Sequence, residues 1–207
     1  MKKKDEVRVI LSKKAYKTTC TVLGVLAKVM EVMAIIGAIT CGICGVILGL
    51  SYRSVDLKSA VDELTANVQS YAQMPISVNI QREWLDNFFA KGQGEQLAII
   101  LGCIALVAIM LAIISTLAHH VSQFFRNLAQ KRTPFMLDNV NHLQKIAIWI
   151  FVAIGYSMLV EIVIPLFFGI SNVAISISVD LIAVGFAAMV LAVIFKRGYD
   201  MESGTKE

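Results

Sequence analysis

The sequence predicts an all-α integral membrane protein: four transmembrane helices, both termini cytoplasmic, and a small extracytoplasmic element. Three observations predict it. Hydrophobic residues make up 57% and charged residues 16% of the 207 positions, against about 45–50% and about 25% in soluble domains. The charges are unevenly placed, leaving four apolar runs almost free of them. Basic residues gather at one set of span ends, which orients a membrane protein. This composition excludes an ordinary cytosolic enzyme, a disordered tail and a secreted disulfide scaffold, because one core of this size could not hide so much apolar surface.

The first span is predicted over residues 29–50. Val32 to Leu50 carries no charge, and about 20 apolar residues cross about 30 Å of hydrocarbon at about 1.5 Å each. Its helix starts earlier, since Val22 to Met30 is interrupted only by Lys28. The run begins too far into the chain and is too long for a signal peptide, and no clear small-residue cleavage site follows. The second span, 97–118, is free of charge. The third, 146–168, is interrupted by Glu161 and Pro165, and the fourth, 178–196, by Asp180.

Orientation follows from Lys and Arg near the span ends. The N-terminal segment holds Lys2, Lys3, Lys4, Arg8, Lys13, Lys14, Lys17 and Lys28. The 119–145 connection holds Arg126, Lys131, Arg132 and Lys145, and the tail holds Lys196, Arg197 and Lys206. In the long 51–96 loop, Arg53, Lys58, Arg82 and Lys91 are outnumbered by Asp56, Asp62, Glu63, Glu83, Asp86 and Glu95. Both termini and the 119–145 loop are therefore expected inside, and the acidic loop outside. Net charge is +4. Beside an apolar helix the basic N-terminus reads as a topology signal that touches anionic lipid, rather than as a nucleic-acid arm.

The outer loop is too long to be a bare connector. Leu57, Val61, Leu64, Val68 and Tyr71 recur as one apolar helical stripe. Residues 74–81 and 174–179 both alternate like strands and would pair as a small ribbon; the alternative is that 174–179 simply begins the fourth helix. In the ribbon reading Asp180 becomes a helix N-cap. Trp84, Phe88 and Phe89 read as interfacial anchors. Inside, Pro134 breaks the helix leaving the second span, and Asp138 or Asn139 starts the next. His119 and His120 are adjacent, so they point about 100° apart and do not form the i, i+4 pair of a helical zinc site. They read as polar residues at the membrane face, and no metal site or cofactor is expected.

Glu161 is the charge that the span pattern explains least. It lies well inside the third span, where a carboxylate costs about 2.5–3.5 kcal/mol. It must face the bundle, be protonated or meet a cation, with Arg53, Lys58 and Arg82 as outer candidates. A proton-responsive or ligand-binding site shared with Asp180 is one reading; a structural hydrogen bond to Tyr156, Ser157 or a neighbouring helix is the other. Pro165 removes the donor that would bond the Glu161 carbonyl, so a kink is expected there. Cys41 and Cys44 form a C-x-x-C inside hydrocarbon, where thiolates are poorly stabilised. Gly37, Cys41, Gly45 and Gly49 recur every four residues, which reads instead as a small-residue packing ridge. All four cysteines lie in or beside apolar runs, so a disulfide framework is not expected. No hydrolase triad, phosphate loop or dinucleotide fingerprint is present, and the chain reads as non-enzymatic.

Lys131-Arg132-Thr133-Pro134-Phe135, followed by Asn139, Leu143 and an apolar helix from Ile146, resembles a pattern in the uncharacterised bacterial membrane family domain-of-unknown-function 2975. So does the exit Val193-Ile194-Phe195-Lys196-Arg197-Gly198-Tyr199-Asp200-Met201-Glu202. The short ending, Ser203 to Glu207, departs from the acidic and hydrophobic continuation usual there. The resemblance implies four spans in a bacterial plasma membrane and no chemistry of its own. It also implies a small cytosolic helix-turn-helix transcription regulator as partner, because family members often neighbour a gene for one.

The expectation is thus a sensing or regulatory membrane protein, with Arg126, Lys131, Arg132 and Phe135 as partner contacts. The alternative is a small transport or immunity protein that binds an exported compound through the outer loop and Glu161. Expected partners are the bilayer, the regulator and a second copy of the chain, with no direct contact to nucleic acid.

Overall fold

The computed structural model describes residues 2–52, 82–130, 135–170 and 178–204, with side chains from Ala15 onward except those of Arg82, Glu83 and Leu85. All regular structure among them is helical: α1 Lys2–Ser51, α2 Arg82–Phe89, α3 Gln93–Gln130, α4 Leu137–Phe167 and α5 Val179–Gly204. Four of these, α1, α3, α4 and α5, are long and apolar enough to cross a membrane. The apolar stripe of the 51–96 loop, residues 74–81, and Arg53, Lys58, Lys131, Arg132 and Pro134 lie outside the described residues, as does the side chain of Arg82.

The helices extend well beyond the predicted spans. With 38 residues, α3 measures about 57 Å, and its last twelve residues belong to the stretch expected as loop. Hydropathy marks the limits of the hydrocarbon, whereas a helix continues while its backbone bonds are satisfied. At the start of α4 the Met136 carbonyl accepts from the Asn139 and Val140 amides. The helix therefore begins at Leu137, with Asp138 in its first turn, where a negative charge suits the helix dipole. It continues through the buried Pro165 and ends two residues later. There the Ile170 amide donates to the Pro165 carbonyl and the Gly169 amide to the Leu166 carbonyl. Gly169 has φ +73°. This is a Schellman end, and the left-handed residue it needs is the reason for glycine at that position.

The ribbon reading rests on residues 74–81 and 174–179, and of these only Ser178 and Val179 belong to the described residues. No strand occurs among the described residues, and Val179 is already helical. The Ser178 carbonyl accepts from the Ile182 amide, so Ser178 occupies the cap position and Asp180 lies exposed in the first turn of α5. Its charge suits the dipole of that turn without capping it.

Two compact units are present. One comprises Met1–Ala38, Ile109–Met158 and Ser176–Glu207, the other Ile39–Ala108 and Leu159–Ile175. In the first, Leu143, Ile146, Ala147, Ile150 and Ile154 of α4 pack on Ala188 and Ala192 of α5. Gly185 lets the helices close: a Cβ there would lie 3.1 Å from Phe151 Cζ and 3.2 Å from Ile150 Cγ2. On α1, Cys20, Gly24, Ala27, Glu31 and Ala34 are buried, a seam of mean spacing about 3.5 residues. Between them Val22, Val25, Val29 and Met33 are exposed, as suits a helix whose other faces meet lipid.

In the second unit, a Cβ on Gly45 would lie 3.5 Å from Ile104 Cγ2 and 3.8 Å from Leu101 Cδ2, and Cys41 is half-buried. Gly37, in the first unit, faces Leu111 at 3.2 Å by the same measure. Gly49 departs from that ridge. It is exposed and meets nothing among the described residues. Steps of four residues advance about 400°, so each glycine drifts about 40° round the helix, and three steps carry Gly49 off the face. Gly102 is closer packed still, with Phe167 Cε2 at 2.7 Å from a Cβ.

Candidate functional site

The most buried charge in the described part of the molecule is one the sequence pattern does not expose. Glu31 sits in the α1 seam, only 7% exposed. One turn earlier on the same helix, Lys28 Nζ donates to Glu31 Oε1 at 2.7 Å. On α3, His119 Nδ1 lies 3.2 Å from the same oxygen. The other oxygen, Oε2, is buried and has no hydrogen-bond partner among the described residues. A desolvated carboxylate oxygen is costly to leave unmatched, so Oε2 suits a donor that arrives from elsewhere.

The cluster continues through the histidines. His119 and His120 rings meet edge to face at 5.6 Å, and His120 meets His142 of α4 at 5.6 Å. His120 Nδ1 and His142 Nδ1 are 3.4 Å apart. Only one of those two nitrogens can carry the shared hydrogen, since a neutral imidazole has one donor and one acceptor. Lys28, Glu31, His119, His120 and His142 therefore form a polar path across α1, α3 and α4, all within the first unit. The histidines were expected as polar residues at the membrane face; the structure adds the carboxylate that one of them meets. Glu31 escaped sequence reasoning because it stands at the edge of an apolar run. The available signal was its spacing from Lys28 together with its register in the seam of Gly24, Ala27 and Ala34.

A second feature joins the start of α4 to the end of α5. The Phe135 ring packs on Gly198, where a Cβ would overlap it, and stands edge to face with Phe195 at 5.5 Å. Beside it opens a groove of about 400 Å³, lined by Phe135, Asp138, Tyr199 and Glu202 among others. Phe135 thus serves an intramolecular contact and is half-buried.

The remaining predicted site residues are dispersed. Glu161 is half-buried and belongs to the second unit, whereas Asp180 is exposed and belongs to the first. Arg126 is exposed on α3. Trp84 and Phe88 pack on Phe168 at 5.4 and 6.0 Å, and Phe88 is buried. In the same unit Tyr52 donates to Gln96 Oε1 at 2.9 Å, and Gln96 Nε2 donates to the Lys91 carbonyl at 2.9 Å. This ties the end of α1 to the turn before α3, and burial pushes the Tyr52 phenol up. Comparison with protein-family models, curated proteins and solved structures found no match for the chain.

Proposed function

We propose that this chain is a non-enzymatic, multi-pass protein of the bacterial plasma membrane that senses a condition there and holds a small cytosolic helix-turn-helix transcription regulator. The observation that carries the reading is the joint surface made by Phe135, Gly198 and the groove beside them. Two segments expected in the cytosol, the 119–145 connection and the tail, meet there. Asp138 and Glu202 line the groove, and DNA-binding modules carry a basic face. A regulator bound by that face is withheld from DNA. The resemblance of residues 131–135 and 193–202 to the four-span family supports the same partner class.

Within this reading the Lys28–Glu31–His119 cluster is the sensing element. A buried ionisable group inside a helix bundle is a functional group by default, and protonation would change what Glu31 offers Lys28 and His119. The same cluster favours a second reading, a small transport or immunity protein whose carboxylate couples to an exported compound. The discriminating experiment is capture from the native host in mild detergent, with the tagged full chain as bait. A DNA-binding protein retained by the wild type and lost with Glu202→Lys, at equal membrane levels, supports the regulator reading. No DNA-binding partner, together with substrate flux in reconstituted vesicles, overturns it in favour of transport.

A further inference from the structure

Helices α1 and α3 meet beside Gly24. Ser122 Oγ donates to the Gly24 carbonyl at 3.0 Å, a buried contact between helices. A Cβ on Gly24 would lie 3.6 Å from the Arg126 amide nitrogen and from Phe125 Cβ. Alongside this crossing runs a groove of about 490 Å³. Its lining includes Lys17, Lys28 and Arg126 and, among the described residues, no carboxylate; Gln123, Gln130 and Val25 are also part of its wall.

All three cations line the same groove. Lys17 and Lys28 lie on one face of α1, about 16 Å apart along its axis. Gly24 stands between them in α1 and its hypothetical Cβ would lie 3.6 Å from the Arg126 amide nitrogen, so the stretch of α3 that carries Arg126 meets α1 between the two lysines. Lys28 gives one hydrogen to Glu31, and an ammonium has three. Its side chain is 55% exposed, which leaves it able to donate into the groove as well. Arg126 brings a planar fork that fits two oxygens of one phosphate. Gln123 and Gln130 bring amide donors that suit a polar headgroup.

We propose that this groove binds the phosphate of an anionic phospholipid headgroup. The shared chemistry is a phosphate anion, and the wall decides for its lipid source. Val25 lines the groove at 57% exposure, and Val22 and Val29 beside it on α1 are about half exposed. An acyl chain descending from the headgroup has an apolar track there that a free phosphate does not use. Basic pockets between transmembrane helices take anionic headgroups by this combination of charge and apolar flank. The site shares Lys28 with the sensing cluster but does not rest on the regulator reading, and it assigns Arg126 to lipid.

The test uses the full chain in nanodiscs of phosphatidylcholine, titrated with headgroup-labelled phosphatidylglycerol. Retention of the labelled lipid should be saturable, and Arg126→Gln should weaken it about tenfold, a loss of about 1.4 kcal/mol. Arg126→Lys should recover part of it, because charge returns without the fork. Lys196→Gln, on the exposed exit of α5, removes the same charge outside the groove and should leave retention unchanged. If Lys196→Gln weakens retention as much as Arg126→Gln, the attraction is a general surface field and the site is overturned. If inorganic phosphate competes at the same concentration as the lipid, the ligand is a free phosphate and the lipid assignment fails. Thermal unfolding of Arg126→Gln in pure phosphatidylcholine, matching the wild type, shows that the variant is folded; a lowered midpoint there would mean that Arg126 acts through the fold, and would overturn the proposal.

Discussion

Glu31 Oε1 and His119 Nδ1 lie 3.2 Å apart although 88 residues separate them in the chain. Small residues make the meeting possible. Gly24 and Ala27 precede Glu31 in the seam and Ala34 follows it, so α1 lies close enough to α3 for a short acid to reach an imidazole.

The carboxylate is expected to hold the first unit together. Glu31→Ala removes the acceptor that Lys28 and His119 share, and should cost about 1.5–3 kcal/mol. Glu31→Gln keeps an acceptor of nearly the same shape and should cost less than half as much. Denaturant titration in detergent micelles measures both. Wild-type midpoints for both variants would mean that the contact does not contribute.

The α1 ridge makes a paired prediction. Gly45→Leu drives a side chain toward Ile104 and Leu101 and should destabilise by about 1–3 kcal/mol. Gly49→Leu, one turn later and exposed, should stay within about 0.5 kcal/mol. The readout is thermal aggregation in detergent. Equal losses from the two variants would place Gly49 back in a contact.

Gly198 and Phe135 should behave as a coupled pair. Gly198→Ala places a Cβ inside the Phe135 ring and should cost about 1–3 kcal/mol. In a Phe135→Ala background the same change should be nearly neutral, giving a coupling energy above about 0.5 kcal/mol in a double-mutant cycle. Additive effects would refute the contact.

Orientation has a direct measurement. On a cysteine-free background, single cysteines in the 51–96 loop should react with an impermeant thiol reagent in whole cells. Cysteines near Lys131 or after Gly198 should react only after lysis. Labelling near Lys131 in intact cells would reverse the proposed topology.

The sequence by itself determined the four apolar helices. Span length is a local quantity: about 20 uncharged residues suffice wherever they sit, and the runs at 32–50 and 97–118 carry no charge at all. It also placed Asp180 near a helix start, since an acid in a first turn is a local preference. Tertiary structure decided which face of each helix meets which neighbour. Glu31 gained its importance from His119 and from burial, neither of which appears in its own stretch of chain. Phe135 looked like a surface aromatic until Gly198, far along the chain, supplied the gap that its ring fills. The four-residue ridge named Gly45 and Gly49 alike, and of the two Gly45 meets a neighbour among the described residues, because a helix of about 3.6 residues per turn rotates away from any four-residue repeat. A sequence states that repeat, and only the second helix shows where on the ridge the contact ends.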